Sequence, residues 1–156
     1  MTSYVAVCGA GMAAARPADL HAAEEVGRRV AEAGGIVVCG GLGGVMEAAC
    51  RGARSADGIT VGLLPGADRG DANPFVSVAI PTGIGELRNG LVVRAADVVI
   101  AIGGEWGTLS EIALAMKTGT PVVGIDTWDL GRAGIEVAAD ADAAVKRALA
   151  LALHSH

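Results

Sequence analysis

Aromatic residues are scarce in this chain: one Phe, one Tyr and two Trp make up 3% of 156 residues. A core built on large rings is therefore excluded, and small and β-branched apolar side chains have to fill it. Charge is thin as well, at 19% Asp, Glu, Lys and Arg, and the mean hydropathy is +0.49. That is apolar for a monomer of this size, so some helix faces are expected to be buried between subunits of a homodimer. The net charge of -5 argues against a general nucleic-acid binder. Cysteine is limited to Cys8, Cys39 and Cys50, with no CxxC spacing and no His/Cys cluster. An odd, unpatterned set excludes a disulfide framework and gives no metal site; reduced, buried thiols in a cytoplasm are expected. Long apolar runs are missing too, since none approaches the roughly 18 residues needed to span a bilayer. The opening MTSYVAVCGAG breaks into glycine at once and carries no cationic leader. A membrane location is not expected.

What the chain has in quantity is glycine, 24 residues of it, set between short apolar runs and helical stretches. Strands are expected at 4–9, 36–41, 58–65, 76–83, 97–104 and 121–126, with a short further strand within 134–140. Helices are expected at 18–35, about 45–56, 84–96, 107–120 and 141–153. Pro81 points to an edge position for the fourth strand, and the unbroken apolar DVVIAIGG (97–104) to a central one. The polar, turn-rich GADRGDANP (66–74) reads as a loop. Strand and helix in alternation predict an α/β protein: a doubly wound, mainly parallel, Rossmann-like sheet with helices on both faces. One domain over 1–153 and a tail at 154–156 are expected.

In such a sheet, ligands sit beyond the carboxyl ends of the strands, and the glycines cluster there. Gly9 and Gly11 follow the first strand, and Gly40, Gly41, Gly43 and Gly44 the second. Thr82 and Gly83 follow the fourth, and Gly103, Gly104, Gly107 and Thr108 the fifth. One glycine at a strand end is ordinary turn chemistry; four clusters on one edge let backbone approach an anionic ligand and aim amides at it. GAGMAA (9–14) fits the dinucleotide fingerprint, but Arg16-Pro17 interrupts the helix that should start there, and the second strand ends without the ribose-binding acid. A P-loop is excluded because no G-x-x-x-x-G-K-[ST] occurs. Glu47 and Arg51, four apart, are placed to pair on a helix surface. Arg88 shares a helical face with Leu91 and Val92 and needs an anionic partner: Glu86, Glu111 or a ligand phosphate. Arg94 lies on another face, toward solvent.

The segment IGGEWGTLSE (102–111) admits two readings. Thr108 and Glu111 have the spacing of a capping box, in which the glutamate closes back on the Thr108 amide. A glutamate one turn into a helix at the mouth of the crevice, facing Arg88, also suits a general acid/base or an orienting carboxylate. Glu105 places a negative charge in the middle of the expected phosphate cradle.

RNGLVVRAAD and GGEWGTLSE, taken with GGLGGVMEAACRGA, resemble the LOG (Lonely Guy) family, often labelled lysine-decarboxylase-like, and in particular its small bacterial branch that includes molybdenum-cofactor carrier proteins. The resemblance runs from VAVCGAG to PVVGI. It implies a dimeric Rossmann protein hydrolysing nucleoside 5′-monophosphates to free base and ribose 5-phosphate, with Arg88 and Glu111 as the catalytic pair. Gly103, Gly104, Gly107 and Thr108 would cradle the phosphate, and Asp97, nine residues after Arg88, would be structural. On the carrier alternative the same cradle holds the phosphate of a pterin, and molybdenum cofactor is cargo; no resident cofactor is implied. Gly103 stands where the family has proline, Glu105 where it has the second glycine, and Asn89 where it has lysine. Decarboxylation on pyridoxal phosphate is set aside, because Lys117 and Lys146 are the only lysines and neither falls at the crevice.

Overall fold

A computed structural model describes residues 1–131 and 134–154. Its elements follow the apolar pattern: β1 (Tyr4–Gly9), α1 (Pro17–Glu32), β2 (Ile36–Cys39), α2 (Val45–Ser55), β3 (Thr60–Leu64), β4 (Val78–Pro81), α3 (Arg88–Arg94), β5 (Val98–Ile102), α4 (Trp106–Thr118), β6 (Val122–Ile125), β7 (Glu136–Val137) and α5 (Ala141–Ala152). The strands form one sheet in the order β4-β3-β2-β1-β5-β6-β7, and every pairing is parallel. Helices α1, α2 and α5 cover one face, with Val26, Val30, Ala49 and Ala144 against Val5, Val7 and Ile100. Helices α3 and α4 cover the other, with Val92, Val93, Ile112 and Ala115 against Ala6, Val38 and Val99. Alternate residues of β1 and β5 thus feed both cores, which is why those strands read as continuous apolar runs. The polar Arg-Gly-Asp of the 66–74 loop makes a single 3-10 turn, with the Asp68 side chain accepting from the Gly70 amide. Of the expected tail, only His154 lies within the described residues, just past α5.

Helices α1 and α2 meet at a pair of glycines. A Cβ on Gly27 would lie 1.9 Å from the Ala49 carbonyl oxygen, and one on Gly52 would lie 1.8 Å from that of Glu24. Backbone touches backbone there, and only glycine permits it. The reversal of strand order falls at β1, whose neighbours are β2 and β5. The carboxyl ends of these strands form the crevice in which a doubly wound sheet takes its ligands.

Two expectations need correction. The helix expected over 84–96 is cut short: Gly85 has φ +62°, outside the helical region, so a 3-10 turn (Gly85–Leu87) leads into the seven-residue α3. The capping box at Thr108 does not form either. Gly103 and Gly104, with φ of +53° and +117°, turn the chain so that α4 starts at Trp106 with Glu105 as its N-cap. Thr108 is then the third helical residue, buried against Gly104, and Glu111 is released to point elsewhere.

Candidate functional site

Two cavities open at the crevice, one on each side of the β5–α4 connection. The first, of about 250 Å³, is bounded by the ends of β1 (Cys8, Gly9) and β2 (Gly40), by Met46 of α2, by Arg88 and Asn89 of α3, and by Gly107, Thr108 and Glu111 of α4. Arg88 and Glu111 are 8% and 7% exposed. Arg88 has a different face of α3 from the expected one, sharing burial with Asn89, Val92 and Val93 while Leu91 is exposed.

The Arg88 guanidinium donates to the Asn89 side-chain oxygen through one Nη and, at 3.4 Å, to the Gly40 carbonyl through the other. Its Nε is fully buried and has no hydrogen-bond partner among the described residues. The nearest guanidinium-to-Glu111 approach is 4.0 Å, the outer limit of an ion pair. Burial raises the Glu111 carboxyl to about 7, against the opposing pull of a hydrogen bond from the Cys8 thiol and of the Arg88 charge. Burial, reinforced by the facing carboxylate, pushes the Cys8 thiol well up. The cavity therefore holds a cation with an unused donor, a carboxyl poised near neutrality and a protonated thiol. Gly40 is required here, since a Cβ would lie 2.4 Å from Arg88 Nη2 and 2.8 Å from the Met46 sulfur.

The second cavity, about 400 Å³, is lined by Ala10, Arg16, Asp19, Gly103, Gly104, Glu105, Asp126 and Trp128 among others. Its charges are spent on one another. Arg16 clasps the buried Asp19 through Nε at 2.9 Å and Nη2 at 2.7 Å, and also bonds Asp126 at 2.7 Å. The Arg16 hydrogen bonds hold the Asp19 carboxyl below its ordinary range. A Cβ at Gly103 would strike that carboxylate at 2.8 Å, and its φ of +53° is closed to proline. Glycine in the place of the LOG proline thus belongs with Asp19. Across the connection Trp106 and Trp128 meet with ring centroids 5.3 Å apart, and Trp128 Nε1 donates to the Glu105 carbonyl. The Glu105 side chain is exposed on the rim of this second cavity.

Of the candidate residues, Arg88, Glu111, Gly9, Gly40, Gly107 and Thr108 come together in the first cavity. Gly103 and Gly104 line the second. Gly11, Gly41, Gly43, Gly44, Thr82 and Gly83 lie outside both linings. Gly44, with φ +70°, makes the turn into α2 against the Ala10 carbonyl. Thr82 ties the chain after β4 to β3 by donating to the Leu64 carbonyl at 2.7 Å. Arg51 pairs with Glu24 of α1 at 3.0 Å rather than with Glu47. Asp97 accepts from the Tyr4 amide and so anchors the start of β1. Lys146 pairs with Asp142 far from either cavity. Sequence reasoning missed Cys8 and Met46 as lining residues, and Asp19 entirely. The third residue of an ordinary helix start carries no signal that it will reach a loop more than eighty residues away.

The model of the SLOG cluster4 family matches residues 2–151. A molybdenum cofactor binding protein from Rippkaea orientalis is 34% identical, with a TM-score of 0.91 over 97% of this chain and 98% of that one. A molybdenum cofactor carrier protein from Chlamydomonas reinhardtii is 34% identical, with a TM-score of 0.89 over the same shares. An uncharacterised protein of Archaeoglobus fulgidus is 43% identical over 103 residues, 66% of this chain and 68% of the relative. DNA processing protein A from Helicobacter pylori shares only the fold, at 19% identity and a TM-score of 0.72. Among the described residues no helix is long and apolar enough to cross a membrane.

Proposed function

The chain belongs to the SLOG cluster4 family, and from that premise we propose that it binds molybdenum cofactor, a phosphorylated pterin, as a cytoplasmic carrier. The observation that carries the reading is Arg88, which lines the first cavity and whose buried Nε has no partner among the described residues. Leaving a buried charged donor unmet costs on the order of 1–3 kcal/mol, and a ligand oxygen would recover it. The similarity to the Rippkaea and Chlamydomonas proteins supports a pterin as that ligand. At about 250 Å³ the cavity is smaller than most ligand sites, roughly 300–1,000 Å³. It takes the phosphorylated end, which Gly107 and Thr108 approach from the cavity wall, and the rest of the cofactor lies along the loop past Gly104 and Gly103. The protein as purified should carry a pterin that heat releases and mild oxidation renders fluorescent. Recovery of less than one pterin per hundred chains, from cells that make the cofactor, would remove the carrier reading.

A second reading has its own observation. Arg88 and a Glu111 whose carboxyl sits near 7 occupy one cavity, with Glu111 free of any cap. That is the arrangement a phosphoribohydrolase needs: the arginine holds the ribosyl phosphate, and the carboxyl stabilises developing positive charge or positions water. Incubation with AMP and with an isopentenyl-AMP-type nucleotide, followed by chromatography for free base and ribose 5-phosphate, decides it. Base release by the wild type and not by Glu111→Gln would make the protein a hydrolase. No release, with ligand-dependent thermal stabilisation retained, leaves the carrier.

The protein is further proposed to be a homodimer. Leu87, Leu91 and Leu114 border an apolar groove of about 280 Å³ between α3 and α4, and Leu87 is 78% exposed. A second copy is the occupant that the chain's high hydropathy favours. Light scattering at micromolar concentration should give twice the chain mass, and Leu87→Glu should halve it.

A further inference from the structure

We infer that Asn89 is a positioning residue, which aims the Arg88 guanidinium at the ligand cavity and ties it to the first turn of α4. The residue is 92% buried, being 8% exposed, and both ends of its amide are engaged. Its oxygen accepts from Arg88 Nη1, its nitrogen donates to Ser110 Oγ at 3.1 Å, and Ser110 Oγ donates to the Gly107 carbonyl at 2.6 Å. The chain of bonds has one direction only. A guanidinium cannot accept and a carbonyl cannot donate, so each proton between them has a single place to go, and the amide has a single orientation.

This relay explains how Arg88 keeps an unused donor. Arginine and glutamate buried in one cavity would ordinarily close on each other in a two-pronged pair. Here the nearest approach is 4.0 Å, because one Nη is drawn to Asn89 and the other faces the Gly40 carbonyl. Nε is left without a partner among the described residues, in a side chain that lines the cavity. A lysine at position 89, as in the LOG signature, would supply no acceptor and would repel the guanidinium. An aspartate would accept from Arg88 but could not donate to Ser110 Oγ, whose own proton goes to the Gly107 carbonyl. Asparagine is neutral, accepts on one side and donates on the other, and meets all three demands. The inference rests on the reading above only for the identity of the ligand.

Two readouts test it, one of them independent of any ligand. In the free protein the Arg88 Nε–H should give an exchange-protected NMR signal with hindered guanidinium rotation, assigned by its loss in Arg88→Lys. Asn89→Ala should average and broaden that signal while the rest of the spectrum stays folded; Ser110→Ala should do so in part. An unchanged Arg88 signal in Asn89→Ala would overturn the inference. The second readout is affinity for inorganic phosphate and for AMP. Asn89→Ala should weaken it roughly ten-fold, in line with the loss of a bond to a charged group. The same substitution should add nothing in an Arg88→Lys background, because Asn89 acts through Arg88. Additive effects would contradict the relay. A wild type that binds neither probe, with the NMR change still present, would instead count against the anion-binding function and leave the positioning role standing.

Discussion

The two cavities flank one loop, yet they are opposites in how their charges are used. In the larger, Arg16, Asp19 and Asp126 satisfy one another, and the carboxyl of Asp19 is held low by its partner. In the smaller, Arg88 and Glu111 stand 4.0 Å apart, a donor goes unused and the carboxyl is pushed up to about 7. The first arrangement holds the fold together; the second stores unmet bonding capacity. The contrast teaches that proximity of opposite charges does not by itself mark a site. The useful sign is a buried charge whose bonds remain incomplete.

The largest expected effect is on pH. A Glu111 carboxyl at about 7 in the folded protein, against 4.5 for the ordinary group, means that the folded state binds the proton more tightly. Stability from this group is fully present below pH 4.5 and is lost as pH rises through about 7, by about 3 kcal/mol at about 1.36 kcal/mol per pH unit. Urea unfolding between pH 5 and 8 should show the fall, and Glu111→Gln should abolish it. A flat profile for the wild type would show Glu111 to be properly paired after all.

Next in size is Arg88→Met at pH 6, which should weaken phosphate and AMP binding by roughly 2 kcal/mol, some thirty-fold, while unfolding free energy stays level or rises. Asp19→Ala should do the reverse. Arg16 is half exposed, so the loss is discounted to about 1.5 kcal/mol of stability, with ligand affinity untouched. If both variants lost stability alike, the distinction between the cavities would collapse. The smallest effect belongs to Glu105→Gly, which restores the LOG glycine at an exposed position. It should raise anion affinity by a factor of about two to three at low salt, and the gain should vanish at about 1 M salt.

The sheet was legible because its signal is local. Each strand is a short apolar run, Pro81 marks the edge strand and DVVIAIGG the buried one. The meeting of Arg88 and Glu111 in one cavity was legible through the resemblance, whereas the groups that take the Arg88 hydrogen bonds, Asn89 and the Gly40 carbonyl, were not. What stayed hidden depends on backbone turns or on distant chain. The start of α4 moved from the expected 107 because two glycines took positive φ, and that move dissolved the capping box. Asp19 of α1 meets Gly103 in the distant connection after β5, and Arg51 chose Glu24 over Glu47, nearer in sequence, because α1 and α2 touch more closely than spacing along one helix reveals.

The protein contains two tryptophans, and both stand at one place, Trp106 at the start of α4 and Trp128 beyond β6, in contact across the loop that parts the cavities. All indole emission from this chain therefore originates beside the crevice. The molecule carries a built-in optical gauge: cargo loading, loop displacement or loss of the Glu105–Trp128 bond would register in unlabelled protein as a change in colour or intensity, on any timescale down to nanoseconds.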